Sequence, residues 1–517
     1  MNLRSWGFSP LVVLFLTSQS QAATTCESLL ALSLPNTTIT LSQSVAAGAF
    51  SPPATGQGAA APNATFKELP AFCRVAATLK PSSDSDIKIE VWMPQANWNN
   101  KFQAVGNGGW AGSITYTAGS DGVERGMAQA LKRGYATAST DTGHVGGSAS
   151  FALGHPEKLM DFGYRAVHEM TVKAKAIITA FYGTNSRYSY WNGCSTGGRQ
   201  ALMEAQRFPL DYDGIIAGAP ANPHTQIQSW GVYVGSATLK DRANFIPSSK
   251  YPMIHQATVN ACDALDGLKD GLIEDPTRCK FDFKSLECKG QDSSSCLTAA
   301  QVESAKKITS PLVHPKTGEM IFSGFALGTE LGWGSRTGGP DPSPLNTDYF
   351  KYVVFSDPNW DWRTFNLETD AALGDKIGNS TLNAVNPDLS ALKQHGGKLL
   401  MYHGWSDERF SAVSTINYYK SVLDKMGSGS QTAEWLRLFL VPGMTHCGGG
   451  EGPNRFDAVT ALEQWVEHGK APNQMIASHS NGGKVDRTRP LCPYPQVARY
   501  QGKGRTDEAA NFMCMVP

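Results

Sequence analysis

Two hydrophobic periods take turns along this chain, and that alternation restricts it to a layered α/β architecture. Ile87, Ile89, Val91 and Met93 alternate with Lys88 and Glu90, the pattern of a half-buried strand, and Pro94 ends it. Phe102–Val105 predicts a second strand running into Gly106-Asn-Gly-Gly109, and Tyr135–Ser139 a third, ending at Asp141-Thr-Gly-His144. Val167, Met170, Ala174, Ile177, Ile178 and Phe181 then recur at helical spacing. Arg187–Trp191 predicts a short strand, Ala201–Phe208 a helix and Gly214–Ala217 another strand. Strands and helices in alternation imply a mostly parallel sheet covered by helices.

The rhythm breaks between residues 225 and 390, where Cys, Pro, Gly and Ser crowd together. Aromatic residues cluster there at Tyr349, Phe350, Tyr352, Phe355, Trp360 and Trp362. The rhythm resumes with strands at Lys398–Tyr402 and Leu436–Val441 and a last helix at Ala458–His468, closed by Gly469. The simplest organisation is one sheet-based domain over residues 23–224 and 391–517, interrupted by an inserted lid at 225–390.

Residues 1–22 have the form of a signal peptide. Arg4 precedes the apolar run Leu11–Leu16, and Ser20-Gln-Ala22 supplies small residues for cleavage. The run is short of the roughly 20 residues that span a bilayer, so a secreted, extracellular protein is expected. All ten cysteines follow this segment, and an even number in an exported chain favours five disulfides. Lys plus Arg equals Asp plus Glu, which points to no nucleic-acid partner and no anionic membrane. Asn36, Asn63 and Asn379 open N-x-Thr or N-x-Ser/Thr sequons for glycosylation. The sequence leaves the oligomeric state open.

Chemistry enters at Gly193-Cys-Ser-Thr-Gly197, which matches G-x-S-x-G between a predicted strand and a predicted helix. That is the context of a nucleophile elbow, whose glycines permit the strained turn that lifts a serine hydroxyl clear of the sheet. It points to an α/β-hydrolase fold with a large inserted lid. A serine nucleophile needs a base oriented by a third group, and in this fold the chain order is Ser, acid, His. Asp407 follows the first strand after the lid and His446 follows the second, so Ser195, Asp407 and His446 form the candidate triad. His403 and His144 are the rival bases, and Glu408 is the fallback acid. Cys194 precedes Ser195 and Cys447 follows His446; a bond between them would tie nucleophile to base. The oxyanion donors are expected at the backbone N–H of Thr196 and at Gly108 or Gly109.

Together Gly193-Cys-Ser-Thr-Gly-Gly-Arg199, Asp407 and His446-Cys447 resemble the tannase and feruloyl esterase family. The resemblance extends over Asp161-Phe-Gly-Tyr-Arg-Ala166, Ala217-Gly-Ala-Pro220 and Pro358-Asn-Trp-Asp361, and within the family fungal type B feruloyl esterases look most similar. It implies a Cys194–Cys447 disulfide and a serine carboxylic ester hydrolase. Its substrate would be a small aromatic ester or a feruloylated polysaccharide. A tannase acting on galloyl esters is the alternative within the family. A non-catalytic carbohydrate-binding protein on the same fold would need a broken triad. No clustered histidine motif has zinc-ligand spacing.

The resemblance also gives meaning to the acidic stretch Cys262–Glu274, which departs from an EF-hand. It implies a structural calcium held by carboxylates of Asp263, Asp266 and Asp270 and by carbonyls of Leu268 and Leu272. Cys262–Cys279 and Cys288–Cys296 are then the local pairings, and Cys26–Cys73 and Cys492–Cys514 the pairings at the two ends. Trp360 and Trp362 are candidates to stack a phenolic acyl group, although aromatic clusters most often form core.

Overall fold

The structure, a computed structural model, describes residues 25–53, 64–118, 123, 125–427 and 429–517. Residues 1–22, where a signal peptide is expected, and Asn63 lie outside the described residues.

Six parallel strands make the frame. They are β4 (Lys101–Val105), β5 (Ala136–Thr140), β6 (Tyr188–Cys194), β7 (Gly214–Gly218), β8 (Lys398–Gly404) and β9 (Leu436–Val441). Three more, β1 (Thr37–Val45), β2 (Phe72–Leu79) and β3 (Ile87–Pro94), extend one edge in antiparallel fashion. The sheet order is β1-β2-β3-β5-β4-β6-β7-β8-β9. Every residue of β5 and β7 is buried, as expected where helices cover both faces of a parallel sheet. Ala166–Tyr182 packs Val167, Met170, Ala174, Ile177 and Ile178 into the larger core, and Ala458–His468 places Val459, Leu462 and Trp465 in a second cluster. The fold is the expected α/β-hydrolase type.

The sequence pattern starts the α/β region near residue 87, whereas the sheet begins at Thr37. β1 is an edge strand of hydroxyl-rich sequence with only Ile39 and Val45 buried, so its period-two signal is faint. Cys26–Cys73 ties the short turn before it to β2. Also unanticipated are two C-terminal hairpins, β10 (Met475–Asn481) with β11 (Lys484–Leu491), and β12 (Val497–Tyr500) with β13 (Phe512–Met515). Cys492–Cys514 joins the segment after β11 to β13.

Residues 225–390 give no strand to the nine-stranded sheet. This insertion carries helices at His224–Leu239, Tyr251–Cys262, Ala299–Thr309 and Leu367–Leu382 around its own buried cluster, including Trp230, Ile254, Phe283, Phe325 and Trp333. His255 fastens the insertion to the loop after His446. Its Nδ1 lies 2.9 Å from Glu330 and its Nε2 2.9 Å from Glu451. Burial pushes this imidazole down, but hydrogen bonds and charge from the two carboxylates outweigh it and raise the pKa to about 9.

Candidate active site

Ser195 sits where β6 turns into the helix Thr196–Arg207, with φ 65° and ψ −123°. A side chain in that left-handed conformation is held only by its surroundings. Ser195 N donates to Gly218 O (3.0 Å), and its carbonyl accepts from Ala221 N (3.2 Å) and Arg199 N (3.0 Å). The motif glycines have a steric reason. A Cβ on Gly193 would lie 2.4 Å from Gly197 O, and one on Gly197 3.1 Å from Asn107 O. Arg199, fully buried, donates to the carbonyls of Phe162, Gly163 and Leu382. It thereby locks the nucleophile helix to the Asp161–Arg165 segment and to the end of the insertion.

Asp407 and His446 leave the same edge of the sheet, from the loops after β8 and β9. His446 Nδ1 is 2.7 Å from Asp407 Oδ2, and Asp407 Oδ1 accepts from the N–H groups of Arg409 (2.7 Å) and Phe410 (3.0 Å). A fourth partner is His403, whose Nε2 is 3.0 Å from Asp407 Oδ2 while its Nδ1 is 2.7 Å from Thr415 Oγ1. Burial pushes the Asp407 carboxyl up, but the His446 charge and the hydrogen bonds from both histidines outweigh it, holding the carboxyl well below the usual range. It is therefore an ionised acceptor for four donors. Glu408, the fallback acid, accepts from the backbone N–H of His446 (3.2 Å), with no hydrogen bond to the imidazole.

Neither rival base faces the cavity in front of Ser195. His403 serves Asp407. His144 is buried against Phe151 (ring centroids 3.6 Å apart) with Nε2 2.6 Å from Trp110 O, and burial pushes its pKa down to about 4.

The cavity has a volume of about 450 Å³ and is lined by Ser195, Thr196 and His446 together with Gly108, Gly109 and Cys447. The Gly106–Gly109 loop is clamped from several sides. Gly106 N donates to Asn192 O (3.0 Å), Asn107 N to Gln200 Oε1 (3.1 Å), and the Thr196 hydroxyl to Gly109 O (2.6 Å). With the first two amides engaged, Gly108 and Gly109 remain to present N–H groups beside Thr196. A Cβ on Gly108 would meet nothing within 4 Å, as expected for a position bordering open space. The insertion contributes Ile227, Gln228, Arg336, Leu345 and Asn346 to the wall, and the Asp407 loop adds Arg409 and Phe410. Trp360 and Trp362 are not part of it. Trp360 packs in a three-ring cluster with Phe350 and Phe355, and Trp362 donates to Asp341, so both belong to the packing of the insertion. Trp110 and His224, 5.0 Å apart, supply the aromatic wall instead.

Cys194 and Cys447 are bonded across 253 residues with Cα atoms 6.0 Å apart, joining the residue before Ser195 to the residue after His446. The other four pairs are Cys26–Cys73, Cys262–Cys279, Cys288–Cys296 and Cys492–Cys514, and no cysteine is free. A serine at a strained strand-to-helix turn, a histidine–aspartate pair on the same cavity and two backbone amides beside it can carry out acyl transfer.

The family model of the tannase and feruloyl esterase family matches residues 73–515. The chain belongs to this family. An uncharacterized esterase of Xanthomonas campestris pv. campestris is 38% identical, over 97% of this chain and 92% of its own. A probable feruloyl esterase B-1 of Aspergillus oryzae is 36% identical, over 85% of this chain and 83% of its own. The crystal structure of feruloyl esterase B from Aspergillus oryzae superposes with a TM-score of 0.87 at 33% identity, covering 95% of this chain and 99% of that one. This member of the tannase and feruloyl esterase family is thus a carboxylic ester hydrolase of the serine type, and its likeness to fungal feruloyl esterases B is borne out.

Elsewhere, the acidic loop folds on itself. Asp263 accepts from Asp270 N (3.1 Å) and Gly271 N (2.9 Å), Asp266 from Leu268 N (2.8 Å), and Asp270 from Leu272 N (3.3 Å). β11 reaches it through Arg489, whose Nη2 is 2.5 Å from Asp270 Oδ2. None of these residues lines the cavity at Ser195. The sequon residues Asn36 and Asn379 are both exposed. Among the described residues, no helix is long and apolar enough to cross a membrane.

Proposed function

We propose that this enzyme is a secreted esterase that releases ferulic and related hydroxycinnamic acids from esters of plant cell-wall polysaccharides. The observation that carries this reading is the Ser195, His446 and Asp407 arrangement on a cavity with an aromatic wall, in a chain whose relatives include proteins named feruloyl esterase B. Ser195 is the nucleophile. His446 takes its proton as Ser195 attacks the ester carbonyl, and then returns that proton to the departing alcohol. Asp407 fixes the imidazole tautomer and stabilises its cationic form. The N–H groups of Thr196 and of Gly108 or Gly109 receive the negative charge that develops on the carbonyl oxygen. Water then attacks the acyl-enzyme by the same route and frees the acid.

A galloyl ester would use the same residues, so the substrate panel decides between the two acyl groups. With matched methyl esters, the hydroxycinnamate is expected to give the higher kcat/KM, and a phosphonate directed at serine should label Ser195 stoichiometrically. A preference for gallate would make the enzyme a tannase. Absence of labelling with intact fold would remove Ser195 from the reaction.

Calcium is the further element of this proposal. Three carboxylates from Asp263, Asp266 and Asp270 and two carbonyls from Leu268 and Leu272 would supply an all-oxygen donor set within ten residues, which is the chemistry calcium takes. The ion would supply structural cross-linking and no catalytic step. A calcium chelator is expected to lower the melting temperature by several degrees, restored on adding calcium back. Loss of turnover without any thermal shift would argue for a catalytic metal instead.

A further inference from the structure

The cavity in front of Ser195 has two chemically different walls. Beside the Gly106–Gly109 loop, Trp110, Leu345 and Ile227 make an apolar face; Trp110 Nε1 donates to Leu345 O (3.0 Å), and a Cβ on Gly109 would lie 3.5 Å from the Leu345 side chain. Beside His446 the wall is cationic. Arg125 Nη1 donates to the carbonyl of Cys447, the residue directly after His446 (3.0 Å). Arg409 precedes Phe410, whose ring stands edge-on to the His446 imidazole with centroids 4.9 Å apart. Arg336 reaches from the insertion to the same place. Its guanidinium lies 5.6 Å from the Phe410 ring centre, and its Nη2 donates to Arg409 O (2.9 Å).

These charges are only partly answered by the carboxylates of Asp407 and Glu408, which lie near Arg336 outside the cavity lining. Among the described residues, three arginines and no Asp or Glu side chain line the cavity. Arg336 is 2% exposed, its other hydrogen bond goes to Asn346 Oδ1, and its Nε has no partner. The carboxylate nearest Arg409, Glu408, is 3.7 Å away and also accepts from His446 N. Asp407 already accepts from four donors. A buried guanidinium with no carboxylate hydrogen-bonded to it is costly, and a concave site lined by charges of one sign concentrates ligands of the other.

The position of the cationic wall says which half of the substrate it meets. His446 hands its proton to the departing alcohol, so the alcohol half lies on the His446 side and the aromatic acyl half against Trp110, Leu345 and Ile227. Building on the esterase reading above, we propose that the alcohol half of the preferred ester carries a carboxylate, received by Arg409 and Arg125 with Arg336 behind Arg409. Uronic acids and hydroxycarboxylic acids share that chemistry. In the reaction the ester C–O bond breaks and the alcohol oxygen takes the proton from His446. The carboxylate takes no part and leaves with the product.

The test uses the full-length enzyme and esters of one hydroxycinnamic acid with a uronic acid and with a hydroxycarboxylic acid, each beside its primary-amide counterpart of the same shape. At neutral pH and low salt, the acid forms should exceed their amides in kcat/KM by about tenfold or more, as for a hydrogen bond to a charged partner. That ratio should shrink with added salt and fall towards parity in Arg409→Gln, while Arg409→Lys recovers part of it. Arg125→Gln provides a second reading should Arg409→Gln fail to fold by circular dichroism. Preference in one acid series alone supports the proposal and names the alcohol. Parity in the wild type overturns it, as does a preference that survives both glutamine variants. Failure to hydrolyse any of these esters, or the simple methyl ester, counts against the esterase reading itself.

Discussion

Asp407→Asn is expected to lower kcat by about four orders of magnitude, with the protein still folded. The reason lies in the number of donors around this carboxylate. His446 Nδ1, His403 Nε2 and the N–H groups of Arg409 and Phe410 all converge on its two oxygens. An asparagine keeps one acceptor oxygen and turns an NH2 group towards the other donors. With its oxygen on the two backbone amides, the NH2 faces both imidazoles, and His446 presents the wrong nitrogen to Ser195. With the amide turned round, Arg409 and Phe410 lose their acceptor and the loop that positions Phe410 loosens. Either way the carboxylate that stabilises an imidazolium is gone. The measurement is kcat on a soluble hydroxycinnamate ester, with circular dichroism to confirm folding. Glu408→Gln should do far less, because Glu408 meets the backbone N–H of His446 and the Arg409 side chain rather than the imidazole. A drop below about tenfold for Asp407→Asn would move the role of the acid elsewhere.

The same site shows what a sequence makes legible. Ser195 could be read from its G-x-S-x-G turn, and Asp407 and His446 because each follows an apolar strand, and strand ends are where this fold carries its chemistry. The role of His403 could not. A buried histidine at a strand end has the same local signature whether it packs, acts as a base or braces a carboxylate. Only the approach of Nε2 to Asp407 and of Nδ1 to Thr415 distinguishes these roles. Arg336 was hidden for a related reason. It lies in a Gly-rich stretch with no period, and its partners Asn346 and Arg409 meet it through tertiary folding alone. Trp360 and Trp362 mark the reverse case, a conspicuous cluster that packs the insertion while Trp110, directly after the Gly106–Gly109 loop, lines the cavity. β1 and the C-terminal hairpins leave little trace in the sequence because their polar, exposed residues blur the alternation on which a strand is recognised.

Replacing Cys194 and Cys447 together by alanine is expected to reduce kcat/KM by about a hundredfold at temperatures where circular dichroism is unchanged. The bond closes a loop of 253 residues, and loop entropy alone assigns such a link about 5 kcal/mol of global stability. That term should lower the melting temperature, yet four other disulfides and the buried sheet remain, so the variant has a folded range in which to be assayed. The larger effect on turnover is local. Ser195 and His446 stand on loops after different strands, β6 and β9, which are not neighbours in the sheet. Between them only the bonded cysteines join the two loops covalently, and a drift of about 1 Å between nucleophile and base costs near a hundredfold. Arg125 also donates to Cys447 O, so freeing Cys447 would release a cationic wall of the cavity together with the base. Loss of activity well below the unfolding transition, with Ser195 still labelled slowly by a phosphonate, is the result that fits. Unchanged turnover in the double variant would show that strand packing alone holds the serine and the histidine in register, and the disulfide would then be a device for stability rather than for catalysis.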